Sequence, residues 1–279
     1  MTSHDVVAKI RREFKIKKVG HAGTLDPLAT GVLVICIGDA TRLSDYVMHS
    51  QKTYLAKIKF GESTETYDAE GEIIAKKDAS HLIQADIEAI LPQFTGDIQQ
   101  IPPMYSALKR DGKKLYDLAR AGETITLEPR PVTIHQLTIT QFNSPIAEIE
   151  IRCGAGTYIR SLAHDMGQAL GVGAHLAGLV RVSSGRFELS ESYELDELLN
   201  CPNLDSCVVD ETVALAYIPR IDLDETDTQH IRHGRNPVHV SDATHELARA
   251  YDATGKFIAL LRAENNQWLP YKVFSSASE

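Results

Sequence analysis

The segment YLAKIKF, which begins at Tyr54, constrains the fold more than any other stretch of the sequence. Every second residue from Tyr54 to Phe60 belongs to a mainly apolar set, and the residues between them are mostly lysines. A repeat of two places these sets on opposite faces of a β-strand, so Tyr54 points inward. Residues 147–153 alternate again, and GTYIRSLAHDMG then predicts a sharp turn into a helix N-capped near Thr157. The chain therefore combines half-buried strands with amphipathic helices.

Composition limits the class of protein. With 279 residues, 43% hydrophobic and 24% charged, the chain can bury a sizeable core and is long enough for about two domains. No apolar run approaches the roughly 18 residues of a membrane span, and the N-terminus is charged where a signal peptide would be apolar. The four cysteines lack CxxC spacing, which favours free thiols in a reducing cytoplasm over disulfides or zinc.

Charge is distributed unevenly along the chain, whose formal net charge is -9. The block from Glu188 to Asp227 holds 12 acidic residues and a single base, and outside it bases slightly outnumber acids. Six bases lie between Lys9 and Lys18, and a second basic group consists of Lys109, Arg110, Lys113, Lys114 and Arg120. Both groups fit ordinary solvated helix faces, but they also offer one side of the protein to a polyanion such as RNA.

Several further elements follow from local patterns. Thr2 and Asp5 predict a capping box at the start of a helix, residues 32–37 an apolar strand, and residues 81–91 an amphipathic helix. A proline-bounded, basic helical excursion is expected over about 102–131, stopped near Gly122. The C-terminal stretch predicts three short strands in a meander, with a domain boundary near residues 219–228.

Asp26 lies in HAGTLDPLATG, residues 21–31, just before the apolar run. Asp-Pro is an ordinary turn starter, so a structural aspartate is the simplest interpretation, although loops entering buried strands often hold catalytic groups. His21 fits a capping histidine, a base or a stacking ring, and Tyr54 fits a core tyrosine. Arg160 lies at the edge of a buried helical stripe formed by Ile159, Leu162, Ala163, Met166 and Leu170. An arginine there needs a carboxylate or phosphate, and Asp26 is the obvious candidate.

Other chemistries find little support in the sequence. It contains no Gly-x-Ser-x-Gly, no His-Glu-x-x-His and no P-loop. His164 and Asp165 fall on a helix face away from the stripe and are expected to be solvated. We therefore expect neither a metal nor an organic cofactor.

Five motifs follow one another along the chain: HAGTLDPLATG, the tyrosine strand with its turn in KTYLAKIKFGESTETYDAEGEI, the proline-bounded PPMYSALKRDGKKLYDLARAG, the arginine-containing GTYIRSLAHDMG, and LVRVSSGRF. Together they resemble the TruB family of tRNA pseudouridine-55 synthases, in which the third motif is the RNA-binding thumb. The resemblance runs from residue 2 to the C-terminus, where the meander is similar to a small PUA β-barrel. Five motifs in order are far more specific than any one of them.

The resemblance implies an α+β fold with a mixed, mainly antiparallel sheet flanked by helices, a thumb insertion at about 102–131, and a PUA-like barrel. It implies a catalytic domain over 1–218 and an RNA-binding domain over 219–279. The implied activity isomerises uridine 55 in the tRNA T-loop, in the cytoplasm, without a membrane or an obligate protein partner. A non-catalytic RNA-binding or tRNA-folding module, and a synthase acting on another RNA, are the alternatives.

The resemblance also implies a role for each site residue. Asp26 is the nucleophile, Tyr54 stacks on the target base, and Arg160 pairs with Asp26 and keeps it ionised. The residues implied to contact the substrate are His21, Asp68, Leu179, Lys109, Arg110, Lys113 and Lys114.

The sequence departs from the family at its start. Members usually begin with a strand ending in Lys-Pro-x-Gly, just before the segment that here begins Met1-Thr2-Ser3. Three explanations are open: a start codon assigned too late, a truncated chain, or a protein that lacks this edge of its sheet. We favour the first, which predicts upstream in-frame codons for a Lys-Pro strand. The last predicts an exposed, unpaired neighbouring strand.

Overall fold

The computed structural model describes residues 1–106, 109–110, 113–115, 125–240 and 243–274, with only the backbone described at 109–110 and 113–114. The chain forms two compact units. Unit 1 consists of Met1–Lys9, His21–Ile35 and Val47–Glu197, and unit 2 of Ile10–Gly20, Cys36–Tyr46 and Leu198–Glu279. The domain boundary expected at 218/219 lies inside the last segment of unit 2.

Helices and strands alternate irregularly along the chain. Up to residue 115 they are α1 (Ser3–Glu13), β1 (Val19–His21), β2 (Ala29–Gly31), β3 (Ile35–Ile37), α2 (Ser44–Met48), β4 (Lys52–Phe60), β5 (Glu62–Thr64), β6 (Ile73–Lys76), α3 (Gln84–Ile90), β7 (Gly96–Gln100), β8 (Lys109–Arg110) and β9 (Lys113–Lys114). From residue 125 onward they are β10 (Arg130–Asn143), β11 (Ile146–Cys153), α4 (Ile159–Ala169), β12 (Ala174–Ser184), β13 (Phe187–Glu188), α5 (Leu195–Leu199), β14 (Arg220–Asp222), α6 (Glu225–Arg232), β15 (Leu247–Tyr251), β16 (Phe257–Glu264) and β17 (Gln267–Val273).

A seven-stranded sheet organises unit 1. Its strand order is β13-β12-β4-β11-β10-β7, and β2 pairs with β12 outside that path. The β2–β12 pairing is parallel and the other pairings are antiparallel. Since helices α3 and α4 contribute buried residues to the same core as these strands, the predicted α+β class is confirmed.

Burial along β4 follows the predicted alternation. Ala56, Ile58 and Phe60 are buried, while Leu55 and Lys57 are exposed. Burying apolar area stabilises the fold by roughly 25 cal/mol per Å², which ties the register of β4 to its inward face. Tyr54, on the same face, packs against this core, as the sequence predicted.

The segments that flank the Asp26 loop are partly as predicted. The capping box of α1 is confirmed: Thr2 N donates to Asp5 Oδ2 over 2.8 Å, and Asp5 N donates to Thr2 Oγ1 over 3.2 Å. The strand expected over 32–37 is shorter than predicted, since only Ile35–Ile37 forms it. β2 stays beside β12 only as far as Gly31, and the chain then leaves that sheet before β3 pairs with β1.

Helix α4 carries the predicted buried stripe but begins differently. Ile159, Leu162, Ala163 and Met166 are buried, and Leu170 lies just beyond the helix end. The N-cap lies near Thr157 as predicted, one residue later at Tyr158, and Thr157 Oγ1 donates to Gly154 O instead of capping the helix. The Gln100 amide satisfies the Tyr158 backbone, accepting from its N–H over 2.8 Å and donating to its carbonyl over 3.0 Å.

His164 and Asp165 are half-buried, so the prediction that they are solvated is wrong. The loop after β5 covers His164, because the Tyr67 ring stacks on the imidazole. The ring centroids are 3.9 Å apart and the planes 18° from parallel. Burial lowers the pKa of His164, and it raises the pKa of Asp165 to about 6.

Two other predicted helices differ in extent or type. The helix expected over 81–91 begins later, at Gln84, because the Asp86 side chain caps the Ile83 N–H over 2.9 Å. In the thumb, β8 and β9 form an antiparallel hairpin in which Lys109 faces Lys114 and Arg110 faces Lys113, so the basic cluster is not helical there. Of the short helix expected from Leu115, Leu118 and Ala119, only Leu115 is described, and it is helical and buried; the other two lie outside the described residues.

The C-terminal meander is confirmed. Strands β15, β16 and β17 pair antiparallel in sequence order, and β14 adds parallel to β15 to complete a four-stranded sheet. Closure into a barrel stays a prediction. No helix in the described part of the chain is long and apolar enough to cross a membrane.

Replacing Asp165 by asparagine should stabilise the protein at pH 8. The folded-state pKa of Asp165 is raised to about 6 from 3.8, so between those values the folded state holds a proton that the unfolded state has lost. Wild-type stability therefore falls as pH rises through that window. Urea unfolding should give Asp165→Asn the higher midpoint at pH 8, and the gap should close near pH 4.

The exposed carboxylate Glu128 supplies the control. Glu128→Gln should leave the midpoint nearly unchanged at both pH values. A midpoint gap for Asp165→Asn that is the same at both pH values would contradict the assignment.

Candidate active site

The loop between β1 and β2 holds Asp26 at the edge of the sheet. Ala29 N donates to Asp26 O over 2.8 Å and closes a turn, while Leu25 N donates to the Ser3 side chain over 2.9 Å. The loop is thus fixed on both sides of the aspartate. The Asp26 side chain remains one-third exposed, so its carboxylate is open to a ligand.

Arg160, in the first turn of α4, is the cation of the site. Its guanidinium donates to both oxygens of Asp26, from Nε to Oδ2 over 2.9 Å and from Nη2 to Oδ1 over 3.0 Å. It also donates to Tyr105 O over 2.9 Å and to Thr66 O over 3.3 Å. The Arg160 side chain is only 5% exposed. A buried fork with charge-assisted bonds of this kind fixes the carboxylate in orientation as well as in position.

A second carboxylate shares the same guanidinium. Asp68 Oδ2 lies 3.4 Å from Arg160 Nη1, and the Asp68 side chain is as buried as that of Arg160. Asp68 Oδ1 accepts from Thr66 Oγ1 over 2.5 Å and from Glu70 N over 3.1 Å. Backbone bonds between this loop and Leu176 of β12 hold it in place. Asp68, predicted to contact substrate, therefore contacts the same guanidinium as Asp26.

Tyr54 and Leu179 bring an aromatic and an apolar group from adjacent strands. Leu179 is paired with Ala56 of β4 and with Ala29 of β2, and it is nearly fully buried. Burial raises the pKa of Tyr54, and the Arg181 guanidinium opposes that rise only in part. The Tyr54 hydroxyl is therefore protonated at neutral pH and available as a hydrogen-bond donor.

His21 is half-buried at the end of β1, where its ring meets that of His4 edge-on with the ring centroids 5.1 Å apart. Burial lowers the pKa of His21, and the charges of His4 and Arg181 lower it further. Its Nδ1 is buried and has no hydrogen-bond partner among the described residues. A neutral imidazole suits a stacking role better than an ionic one.

Sequence reasoning missed several contributors to the site. Thr66 and Tyr105 act through backbone carbonyls, which no side-chain pattern reveals. Tyr158 is a second half-buried tyrosine, and burial, followed by smaller effects that include the Asp26 charge, raises the pKa of its hydroxyl. Arg181 is a fully buried cation, and its only sequence signal was a basic residue inside the apolar strand LVRVSSGRF. The predicted basic residues of the thumb occupy β8 and β9 by backbone position alone.

One group of possible metal ligands lies in the described part of unit 2. Asp224, Asp227 and His239 bring ligand atoms within 4.8 Å of one another. Asp227 already accepts from the backbone N–H groups of residues 238–240, and Asp224 caps α6 and bonds the His239 ring. These bonds account for the cluster as a structural link between α6 and the following loop.

Family models match consecutive parts of the chain. The N-terminal domain of the TruB family pseudouridylate synthases matches residues 11–159, a tRNA pseudouridylate synthase B C-terminal domain matches 160–218, and a tRNA pseudouridine synthase II C-terminal domain matches 218–275. Relatives named tRNA pseudouridine synthase B include one from Dehalococcoides mccartyi, 42% identical over 99% of this chain and 93% of that protein. Another, from Pseudomonas aeruginosa, is 42% identical over 93% of this chain and 87% of that protein.

Solved structures share the fold. An H/ACA RNP bound to a substrate RNA containing 2'-deoxyuridine aligns with a TM-score of 0.74 at 21% identity, covering 99% of this chain and 82% of that one. A Cbf5-Nop10-Gar1 complex gives a TM-score of 0.74 at 23% identity, covering 99% of this chain and 81% of that one.

Replacing Gly31 by alanine should destabilise the site loop. Gly31 has φ +95°, and an added Cβ would lie 2.3 Å from the backbone oxygen of Arg181 on the paired strand. Left-handed strain alone costs roughly 1–3 kcal/mol, and the clash must also push β2 away from β12. Urea unfolding at pH 7 should show the loss.

Gly156→Ala is the matched control. Gly156 has φ +81°, and its added Cβ would meet nothing within 4 Å, so this variant incurs backbone strain without a clash. Equal losses in the two variants would rule out close packing as the reason for glycine at position 31.

Proposed function

Because the chain belongs to the TruB family of pseudouridylate synthases, we propose that it isomerises uridine 55 in the T-loop of tRNA to pseudouridine. The relatives named tRNA pseudouridine synthase B support a tRNA substrate. The observation that carries the catalytic part is the exposed face of Asp26 held by a buried, bidentate Arg160. A tRNA substrate in turn favours the cytoplasm as the place of reaction.

The reaction breaks the N1–C1′ bond of uridine and forms a C5–C1′ bond to the same uracil. The C5 proton leaves and N1 gains one, so atoms and electrons balance without an oxidant or reductant. One positioned carboxylate provides the nucleophile for such a sequence, and Asp26 takes that role. Arg160 holds it in the orientation for attack.

Retention of the detached uracil is the main demand on the walls of the site, since water reaching the sugar would leave an abasic nucleotide. Tyr54 stacks on the base as a neutral phenol, and Leu179 closes the apolar side. The target uridine must leave its loop to reach Asp26, and the neutral His21 ring fills or guides the vacated position.

Asp68 acts on the site through Arg160 and on the RNA loop beside it. Its carboxylate takes one side of the guanidinium while Asp26 takes the other, so the two acids compete for one cation. This competition keeps Arg160 from moving toward either partner, and thereby sets the position of Asp26.

RNA affinity comes from the thumb and from residues 219–279, which we assign to a PUA-like domain. The thumb hairpin places four basic residues on two short strands. Cations spaced in this way bind successive phosphates, which makes affinity depend on salt. The T-arm is the part of tRNA that presents the reacting loop to them.

Asp26→Asn should abolish product while leaving RNA binding nearly intact, because the amide keeps the shape of the carboxylate but loses the nucleophile. Release of tritium from uridine labelled at C5 of a T-arm hairpin measures the reaction, and filter binding measures affinity. Asp39→Asn, which changes a half-exposed acid of unit 2, is the control and should keep full activity. Product from the Asp26 variant would refute the nucleophile assignment.

The wild-type chain on the same hairpin decides between the candidate functions. Binding without tritium release would favour a non-catalytic RNA module. Release only from a different transcript would favour a synthase that acts on another RNA.

Lys113→Ala combined with Lys114→Ala should weaken binding and flatten its salt dependence. Each lost phosphate contact lowers the slope of log affinity against log salt by roughly one, so the double variant should lose about one to two. Filter binding between low and moderate salt gives this slope. The control removes two exposed lysines elsewhere, Lys57 and Lys256, and should leave the slope unchanged.

A further inference from the structure

We propose that Arg181 is a second arginine of the active site, a positioning residue that fixes the Asp26 loop against the sheet that carries Tyr54. The inference rests on the proposed function, because it assigns Arg181 to the same reaction. Arg181 lies on β12 and is only 1% exposed, which makes it one of the largest fully buried side chains in the described part of the chain.

The Arg181 guanidinium binds the backbone that carries Asp26. Nη2 donates to Gly23 O over 3.0 Å, Nη1 to Thr24 O over 3.3 Å, and Nε to Val32 O over 2.7 Å. The first two acceptors lie just before Asp26 and the third lies after β2. One planar fork therefore holds both ends of the loop.

The Arg181 backbone reinforces the same clamp. Val32 N donates to Arg181 O over 2.9 Å, and Arg181 pairs with Gly31 in the parallel β2–β12 ladder. This close approach requires glycine at position 31, because a Cβ there would clash with the Arg181 carbonyl oxygen. Side chain and main chain of one residue thus act on a segment of about ten residues.

Tyr54 lies opposite Arg181 in the β12–β4 pairing. Burial raises the pKa of the Tyr54 hydroxyl, and the Arg181 charge opposes that rise. The guanidinium therefore acts on the ring on which the target base stacks. The charge of Arg181 also lowers the pKa of His21 and of Lys52.

The energetics argue that Arg181 does more than fill the core. Burying a guanidinium costs several kcal/mol unless its donors are satisfied, and the acceptors named above are three neutral carbonyls. An apolar residue at this position would leave those carbonyls without a donor. What only a guanidinium supplies is several donors in one fixed plane, aimed at both ends of a loop.

The two arginines therefore hold different parts of the same loop. Arg160 binds the Asp26 carboxylate, and Arg181 binds the peptide groups that carry it. A carboxylate whose oxygens alone were bound would still move whenever its loop moved. A displacement of 1 Å in a reacting group can lower a rate on the order of a hundredfold.

The test is Arg181→Lys, whose single ammonium cannot reach all three carbonyls. We expect single-turnover product formation at saturating T-arm hairpin to fall at least about tenfold, with the hairpin Kd within about twofold of wild type. Hydrogen exchange in the RNA-free protein should become faster across residues 22–32. Arg186→Lys, an exposed arginine in the turn after β12, is the control and should change none of these.

An unchanged rate, an unchanged exchange pattern, or a loss that appears only in Kd would overturn the proposal. Hydrogen exchange needs no substrate, so it still decides whether Arg181 holds the loop if the wild-type chain forms no pseudouridine, an outcome that would refute only the proposed function. If Arg181→Lys does not fold, Arg181→Gln takes its place. Failure of both to fold would show a purely structural residue and overturn the positioning role.

Discussion

The site depends on one buried guanidinium with more acceptors than a single carboxylate requires. Arg160 donates to both oxygens of Asp26, contacts Asp68, and bonds two backbone carbonyls. A cation at 5% exposure has lost its water, so each of these partners replaces a solvent interaction. The loops and strands around it are arranged to bring those partners to one point.

The sheet makes this convergence possible by bringing distant segments side by side. Strand β12 lies between β2 and β4, so Leu179 and Arg181 contact the Asp26 loop on one side and the tyrosine strand on the other. Its first residues also anchor the loop of Asp68. A single central strand thereby sets the distance between the nucleophile, the stacking ring and the second carboxylate.

Patterns that depend on burial were predictable from the sequence, and patterns that depend on pairing were not. The alternation in β4 placed Tyr54 inward, and the stripe on α4 placed Arg160 where a buried cation needs an acid. The half-buried His164 could not be foreseen, because Tyr67 covers it from a loop nearly a hundred residues earlier. The end of β2 at Gly31 depends on where β12 runs, and Arg181 looked like one base in an apolar strand.

The groups that cap the start of α4 could not be predicted for a different reason. Side chains at chain ends and turns choose among several local partners of similar free energy. Thr157 bonds a carbonyl behind it, and the free N–H of Tyr158 is satisfied instead by Gln100 from β7. Local sequence rules predict the Thr157 hydroxyl as the capping group, whereas in the folded protein the Gln100 side-chain amide accepts the hydrogen bond from Tyr158 N.

The distance along the chain between Asp26 and Arg160 has a consequence for biosynthesis. The two are 134 residues apart, and contacts of such separation form late because closing a long loop is entropically costly. A nascent chain emerges from its N-terminus and displays the Asp26 loop long before α4 and β12 exist. Throughout that interval the carboxylate has neither the Arg160 guanidinium nor the apolar wall of Leu179, so an incomplete protein exposed to RNA has no assembled site. The complete active site can therefore form only after more than half of the chain has been made.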